Sequence, residues 1–138
     1  MLVKTQTAIL NSGDFVPAAE VARLAGFSST NLSVQPKNWK RNRGIFAIQE
    51  GKEDYLPLYG LNAGDHRPRK EMAEILKVFG EAKDEWGLAF WFARLNSFLD
   101  DERPRDVLAT APERVLAAAM YETAEMVLGD SGVVGFLA

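Results

Sequence analysis

Residues 16–36 of the chain are VPAAEVARLAGFSSTNLSVQP, and this stretch predicts two short helices joined by a tight turn. The first helix begins around Val16–Pro17, because proline is tolerated in the first turn of a helix. Gly26 can adopt the left-handed conformation that ends a helix. Ser28–Asn31 supply capping oxygens for a second helix, which Pro36 is expected to stop. Two helices in this order are typical of a helix-turn-helix.

A β-hairpin is predicted directly downstream of the two helices. The β-prone segments 45–48 and 55–59 flank a polar turn at residues 50–54. Pro57 cannot donate to a β-ladder, so the second strand is expected at the edge of a sheet. A hairpin in this position is called a wing. The sequence therefore predicts a winged helix-turn-helix domain at residues 14–60.

The second half of the chain predicts a small helical domain at residues 66–128, after a polar linker at 60–67. Apolar residues at helical spacing indicate a helix that begins at Pro68 and ends at Gly80. An aromatic-rich helix follows at about 84–96, and a Thr-x-x-Glu capping box announces a last helix that ends near residue 128. The apolar tail, residues 129–138, is expected to fold back on the domain or to enter a partner. The fold class is mainly α with one hairpin.

Composition excludes several kinds of chemistry. The chain has 138 residues, no cysteine and a single histidine, His66, which lies in a polar stretch. Disulfides and thiolate zinc sites are therefore excluded, and we expect no metal, no cofactor and no catalytic residues. The longest apolar runs are far below the roughly 20 residues that span a bilayer, and no signal-peptide core is apparent. We therefore expect no membrane partner and a cytoplasmic location.

Charge is distributed unevenly along the chain. The net charge is −3, yet residues 1–60 carry seven Lys or Arg and only five Asp or Glu. A cluster of cations follows the predicted second helix, which points to phosphate binding by a helix-turn-helix. The expected phosphate contacts are Lys37, Lys40, Arg41 and Arg43, and the expected base contacts are Ser29, Thr30 and Asn31. The alternative is a helical hairpin used only for packing, with a solvated basic loop behind it.

The order of these features resembles that of small bacterial antitoxin-like proteins. The segments that carry the resemblance are 15–26 and 39–48 at the front and 86–91, 95–99, 103–108 and 115–119 at the back. The back half resembles the Xre/MbcA/ParS-type toxin-binding domain. In two respects the chain departs from the family pattern: Asp100-Asp101-Glu102 replaces a loop that often contains glycine, and the front half is winged where many relatives have a compact bundle of helices.

The resemblance implies a homodimeric transcriptional regulator that binds operator DNA with its first half. Its second half would neutralise a cognate protein toxin by stoichiometric binding, without catalysis. Toxins paired with this family are often of the RES type, which degrade nicotinamide dinucleotide. The residues expected to contact the partner are Trp91, Phe98, Asp100, Asp101, Arg103 and Arg105. The rival hypothesis is a helical scaffold or adaptor that never binds DNA and that dimerises or docks on an enzyme.

Overall fold

The computed structural model describes residues 2–28 and 32–131, which are mainly helical with one small antiparallel sheet. The α-helices in this part of the chain are α1 (Leu2–Leu10), α2 (Ala18–Leu24), α3 (Val34–Arg41), α4 (Lys70–Phe79), α5 (Glu85–Ala93), α6 (Pro104–Val107) and α7 (Pro112–Ser131). The strands are β1 (Phe15–Pro17), β2 (Ile48–Glu50) and β3 (Glu53–Pro57). Short 3-10 turns lie at Leu58–Gly60 and Ser97–Leu99.

The predicted hairpin is confirmed, but its second strand does not lie at an edge. β2 and β3 pair antiparallel, with Ile48 opposite Tyr55. The sheet order is β1-β3-β2, so β3 is the central strand. Pro57 is tolerated there because it is the last residue of β3, opposite Phe15, where the ladder ends. The next residue, Leu58, donates its N–H to the carbonyl of Asp14.

The first two predicted helices have different boundaries in the structure. Val16 and Pro17 belong to β1, so the first helix begins only at Ala18. The second helix begins at Val34, and Pro36 lies in its first turn instead of stopping it. Proline at that position loses no intrahelical hydrogen bond, because the first turn of a helix leaves its N–H groups without helical partners. The predicted capping residues Ser29, Thr30 and Asn31 lie outside the described residues.

The helices of the second half follow the sequence pattern closely. The four residues that share the apolar face of α4 are all buried: Met72, Ile75, Leu76 and Phe79. Gly80 ends α4 with a positive φ of 54°. Asp84 caps α5, since its carboxylate accepts a hydrogen bond from the N–H of Gly87 at 2.7 Å. α7 packs along α4, and the small Ala118 and Ala119 are buried on α7.

The sheet separates two hydrophobic clusters, because successive side chains of a strand point to opposite faces. A smaller cluster is formed by Ala18, Val21, Ile45, Ala47, Leu56 and Leu61. The main cluster draws Phe15, Phe46 and Ile48 from the first half of the chain and the apolar faces of α4, α5 and α7 from the second. Phe92 joins the halves by packing on Phe46 and Tyr59, with ring centroids 6.0 and 5.0 Å apart.

This shared core bears on the domain division at residues 60–67. The linker is ordered: Leu61 and Pro68 form an isolated β-bridge, and the guanidinium of Arg69 donates to the carbonyl of Tyr59. The two predicted domains therefore pack against each other through one main core, and their separation at the linker stays a prediction. The sequence reasoning missed α1 altogether, although Ile9 buries its side chain in that core.

Candidate functional site

Helix α3 presents a polar face to solvent. It packs against α2, it buries Pro36, and the half-buried Trp39 lies 6.0 Å from Phe27 between ring centroids. The opposite side is exposed at Gln35, Lys37 and Arg41. Lys37 and Arg41 are four residues apart and so lie on the same face of the helix. This face carries the side-chain types that bind phosphates and base edges.

The four predicted phosphate-binding cations line one cleft. Lys37, Lys40, Arg41 and Arg43 form one side of it, with the buried residues 45–47 among its lining. Residues 83–86 line it as well, where Lys83, Asp84 and Glu85 contribute one positive and two negative charges. The cleft has a volume of about 650 Å³. The predicted cations are thus gathered on one surface, which we call the basic cleft.

Lys40 is committed to an internal ion pair. Its Nζ lies 2.8 Å from Oδ2 of Asp54, whose side chain in β3 is almost fully buried. The other carboxylate oxygen of Asp54 has no hydrogen-bond partner in the described part of the chain. A buried carboxylate without a counter-charge is costly. Lys40 therefore stabilises the fold, and phosphate contact by this lysine would compete with that pair.

Arg43 is committed to the end of α4. Its Nη2 donates to the carbonyl of Leu76 at 3.2 Å and to the carbonyl of Gly80 at 3.0 Å. The carbonyl of Leu76 also accepts the N–H of Gly80, whereas the carbonyl of Gly80 lies past the last helical bond. The negative end of the helix dipole favours a guanidinium at this place. Arg43 also holds a positive φ of 61°, a conformation uncommon for residues other than glycine. It fastens the end of α3 to α4.

We expect Arg43→Ala to lower the free energy of unfolding by about 1–2 kcal/mol, because one partly buried and one exposed hydrogen bond from a charged donor are lost. Arg43→Gly should cost less than Arg43→Ala, since glycine removes the strain of the positive φ. Urea unfolding followed by far-ultraviolet circular dichroism measures both. Arg41→Ala is the matched control on the same surface and should change stability by less than about 0.5 kcal/mol. Equal stability of Arg43→Ala and the wild type would contradict the assignment.

Lys37 and Arg41 remain as the accessible cations of the basic cleft. Both side chains are exposed. Arg41 makes only a long contact with Asn38, 3.5 Å from Nη1 to Oδ1, within its own helix. Lys37 has no ion pair among the described residues. Neither side chain therefore needs to break a strong internal contact to meet an anion.

The predicted partner surface is not one surface in the structure. Trp91 is 0% exposed and lies in the main core, so its assignment to a surface was wrong. Its position on α5 is enclosed because α5 is apolar on more than one side and packs centrally. Arg103 donates to the carbonyl of Ala93, and Arg105 pairs with Asp14. Both arginines thus join separate elements of the fold.

The remaining predicted partner residues lie on or beside a tight loop. Asp100 and Asp101 both have positive φ, 57° and 64°, and the backbone of Asn96 bonds to Glu102 across the loop. Asp100 is largely exposed, with Oδ2 3.4 Å from the guanidinium of Arg114. Phe98 is 47% exposed and packs on Tyr121, whose ring centroid is 5.2 Å away.

Phe98 belongs to an exposed apolar patch that the sequence reasoning did not identify. We define the aromatic patch as Leu95, Phe98 and Tyr121, each about half exposed. Its members come from the loop after α5 and from α7, so only the fold brings them together. The sequence gives no signal for this patch, because Phe98 and Tyr121 lie on separate elements that only the fold brings together.

Metal and membrane sites find no support in the described residues. Within residues 2–28 and 32–131, no group of three or more His, Asp or Glu side chains is placed to hold a metal ion. No helix in that part of the chain combines the length and the apolar character needed to cross a bilayer.

No family model, no curated protein and no solved structure matches the chain. The resemblance to antitoxin-like proteins therefore stays a prediction.

Proposed function

We propose that this chain is a DNA-binding regulator, and that the exposed face of α3 and the basic cleft beside it form the contact with DNA. The observation that carries the proposal is the exposure of Lys37 and Arg41 on one face of a helix that packs against α2 and precedes a hairpin. That order of elements is the order of a winged helix-turn-helix. Residues 29–31, the predicted base contacts, precede α3 in the sequence and lie outside the described residues.

The internal contacts divide the four cations into two functional pairs. Lys37 and Arg41 would bind phosphates, whereas Lys40 and Arg43 hold Asp54 and the end of α4. Gln35 and Asn38 on α3 are additional candidates for base contacts, because amide side chains pair well with adenine. Asn38 is partly buried, so Gln35 is the more accessible of the two.

The salt dependence of binding tests this division. For each bound protomer, two phosphate contacts contribute about −1.8 to the slope of log affinity against log salt concentration, whereas four contacts contribute about −3.6. We expect a slope per protomer near the lower magnitude for the wild type on DNA from the promoter of its own gene. Fluorescence anisotropy at several salt concentrations measures it. A slope near the higher magnitude would indicate that Lys40 and Arg43 also contact phosphates.

The double variant Lys37→Ala with Arg41→Ala should abolish retardation of the promoter fragment in gel-shift experiments. Its far-ultraviolet spectrum and unfolding midpoint should match the wild type, because neither side chain supports the fold. Lys70→Ala, an exposed cation at the start of α4, is the matched control and should retain binding. Unchanged retardation by the double variant would end the proposal.

We propose further that the aromatic patch binds a protein, and that the regulator acts on this protein by stoichiometric binding, without catalysis. The observation that favours it is the exposed pair Phe98 and Tyr121, since large aromatic side chains are enriched where binding energy concentrates. In the antitoxin hypothesis the bound protein is a cognate toxin. In the rival scaffold hypothesis it is a second copy of this chain or an enzyme.

Two measurements on one variant separate these hypotheses. Phe98→Asp places a charge in the patch and should leave the fold intact, because the side chain is half exposed. If the patch joins two copies, light scattering will show a dimer for the wild type and a monomer for the variant. If it binds a toxin, the oligomeric state will be unchanged and the variant will fail to protect cells from the toxin encoded by the adjacent gene. A wild-type chain that never retards DNA favours the scaffold.

A further inference from the structure

A second cleft, with a volume of about 400 Å³, lies between α1 and α5. It is separate from the basic cleft, which is lined by the other end of α5. Its walls include the apolar side chains of Ala8, Ile9, Phe15, Ala89, Phe90 and Ala93. The volume falls in the range of small-molecule sites, about 300–1,000 Å³. We call it the arginine cleft, because three arginines share the lining.

The charge of the arginine cleft is positive. Arg94, Arg103 and Arg105 line it together with one carboxylate, Asp14. Asp14 is paired with Arg105, so these two charges offset each other. Arg94 is largely exposed and lies 3.7 Å from Glu122. Arg103 is therefore the partly buried cation whose charge faces the cleft without a paired carboxylate in the described residues.

The guanidinium of Arg103 is oriented by one hydrogen bond, and its other donors have no partner in the described residues. Its Nε donates to the carbonyl of Ala93 at 2.9 Å, which fixes the plane of the group. Its two terminal nitrogens have no acceptor within hydrogen-bond distance in the part of the chain that the structure describes. A planar guanidinium held in this way presents two parallel donors, which is the geometry that a carboxylate accepts.

The hydroxyl of Tyr59 supplies a second polar group. Tyr59 lines the cleft, and its hydroxyl oxygen is enclosed and has no hydrogen-bond partner in the described residues. Burial, and then the nearby carboxylate of Asp14, raise the pKa of Tyr59 well above its ordinary value, against a smaller opposite effect of Arg105. The hydroxyl therefore stays neutral and can donate a hydrogen bond. Enclosed polar groups normally have a partner.

We propose that the arginine cleft binds a small monocarboxylate with an apolar body. The carboxylate pairs with the terminal nitrogens of Arg103, and the apolar body lies against Ile9, Phe90 and the alanines of α5. One bidentate arginine matches one carboxylate, and a mainly apolar wall selects against a phosphate, which needs more donors. This site does not depend on the proposed DNA contact, because it shares no residue with the basic cleft.

Three probes of matched structure test the ligand class. Hexanoate carries both the charge and the apolar body, hexanol carries only the body, and acetate carries little more than the charge. We expect hexanoate to raise the melting temperature saturably, with a Kd of about 1 mM or tighter, since a ligand that binds the native state stabilises it. Hexanol and acetate should bind at least tenfold more weakly. Equal binding of hexanol, or no saturable binding of hexanoate, would overturn the proposal.

Variants locate the site. Arg103→Gln should weaken hexanoate binding by at least tenfold, and Arg103→Lys should weaken it nearly as much, because lysine keeps the charge but loses the paired donors. Arg103→Lys is also the control for folding. If its unfolding midpoint matches that of the wild type, its loss of hexanoate binding arises at the cleft and not from unfolding. Tyr59→Phe should weaken binding about threefold, as expected for one neutral hydrogen bond. Arg41→Gln, in the basic cleft, should bind hexanoate as the wild type does. Full binding by both folded Arg103 variants would place the ligand elsewhere.

Discussion

Replacing Trp91 with alanine will lower the free energy of unfolding by about 3–5 kcal/mol, the range measured when large buried aromatic side chains are truncated. The indole is fully enclosed in the main core. Its ring meets Phe79 and Phe92 edge to face, each with a centroid distance of 5.0 Å. Both contacts and the burial of the ring are lost in the variant. Because domains of this size are stable by only about 5–15 kcal/mol, the loss is a large fraction of the total free energy of unfolding.

Trp91→Phe tests whether Trp91 contributes to stability through packing and not through its indole N–H. The indole N–H has no hydrogen-bond partner in the described residues, so it adds an unsatisfied donor to the core. Phenylalanine removes that donor and leaves a smaller void than alanine does. We expect the free energy of unfolding of Trp91→Phe to lie within about 1.5 kcal/mol of the wild-type value. Guanidinium unfolding with an unchanged m-value would confirm that both variants unfold from the same native state.

Trp86 is the matched control, because it is on the same helix, is only half-buried and lines the basic cleft. Trp86→Ala should cost clearly less than Trp91→Ala. If Trp91 were a partner-binding residue, as the sequence indicated, Trp91→Ala would keep native stability and lose only partner binding. A Trp91→Ala variant as stable as the wild type would therefore contradict the assignment of Trp91 to the main core.

The spacing of apolar residues predicted the second half of the fold well. Met72, Ile75, Leu76 and Phe79 are three or four residues apart, and a helix that must bury them has only one orientation toward the core. Helix α5 shows the limit of this reasoning. Its residues are apolar on more than one side, so periodicity identified the helix but did not say which rings are buried. Trp91 and Trp86 could be told apart only by the packing of distant segments.

The first half was predicted less accurately because its boundaries depend on long-range pairing. Pro17 is compatible both with a helix start and with a strand end, and pairing of β1 with β3, forty residues away, decides for the strand. Long-range partners also decide what each cation does. In the sequence, nothing distinguishes the roles of Lys40 and Arg43 from those of Lys37 and Arg41. In the structure, Lys40 pairs with Asp54, and Arg43 donates to carbonyls at the end of α4.

This division means that a combined replacement of Lys40, Arg41 and Arg43 is a poor test of DNA binding. Two of these side chains support the fold, so a loss of binding would follow from a loss of stability as readily as from lost phosphate contacts. The three cations lie within four residues of one another, so the sequence alone does not distinguish their roles. Replacement of Lys37 and Arg41 is the better test of DNA binding, because neither side chain supports the fold.

Lys40→Ala alone will lower the free energy of unfolding by about 2–3 kcal/mol, because it leaves the buried carboxylate of Asp54 without a counter-charge. The value is below the range of about 3–5 kcal/mol for fully buried pairs, since the Lys40 side chain is 37% exposed and water screens the interaction. Asp54→Asn should cost less, because the amide needs no counter-charge. Urea unfolding at neutral pH measures each variant.

The double variant Lys40→Ala with Asp54→Asn measures the coupling energy between the two side chains. If the cost of Lys40→Ala arises from the unpaired carboxylate, removing that charge will recover part of it, and the double-mutant cycle will give a coupling energy of about 1–2 kcal/mol. Strictly additive losses would show that Lys40 acts through its contacts in the basic cleft and not through Asp54. In that case Lys40 would again be available to DNA, and the salt slope of binding would have to reflect three phosphate contacts instead of two.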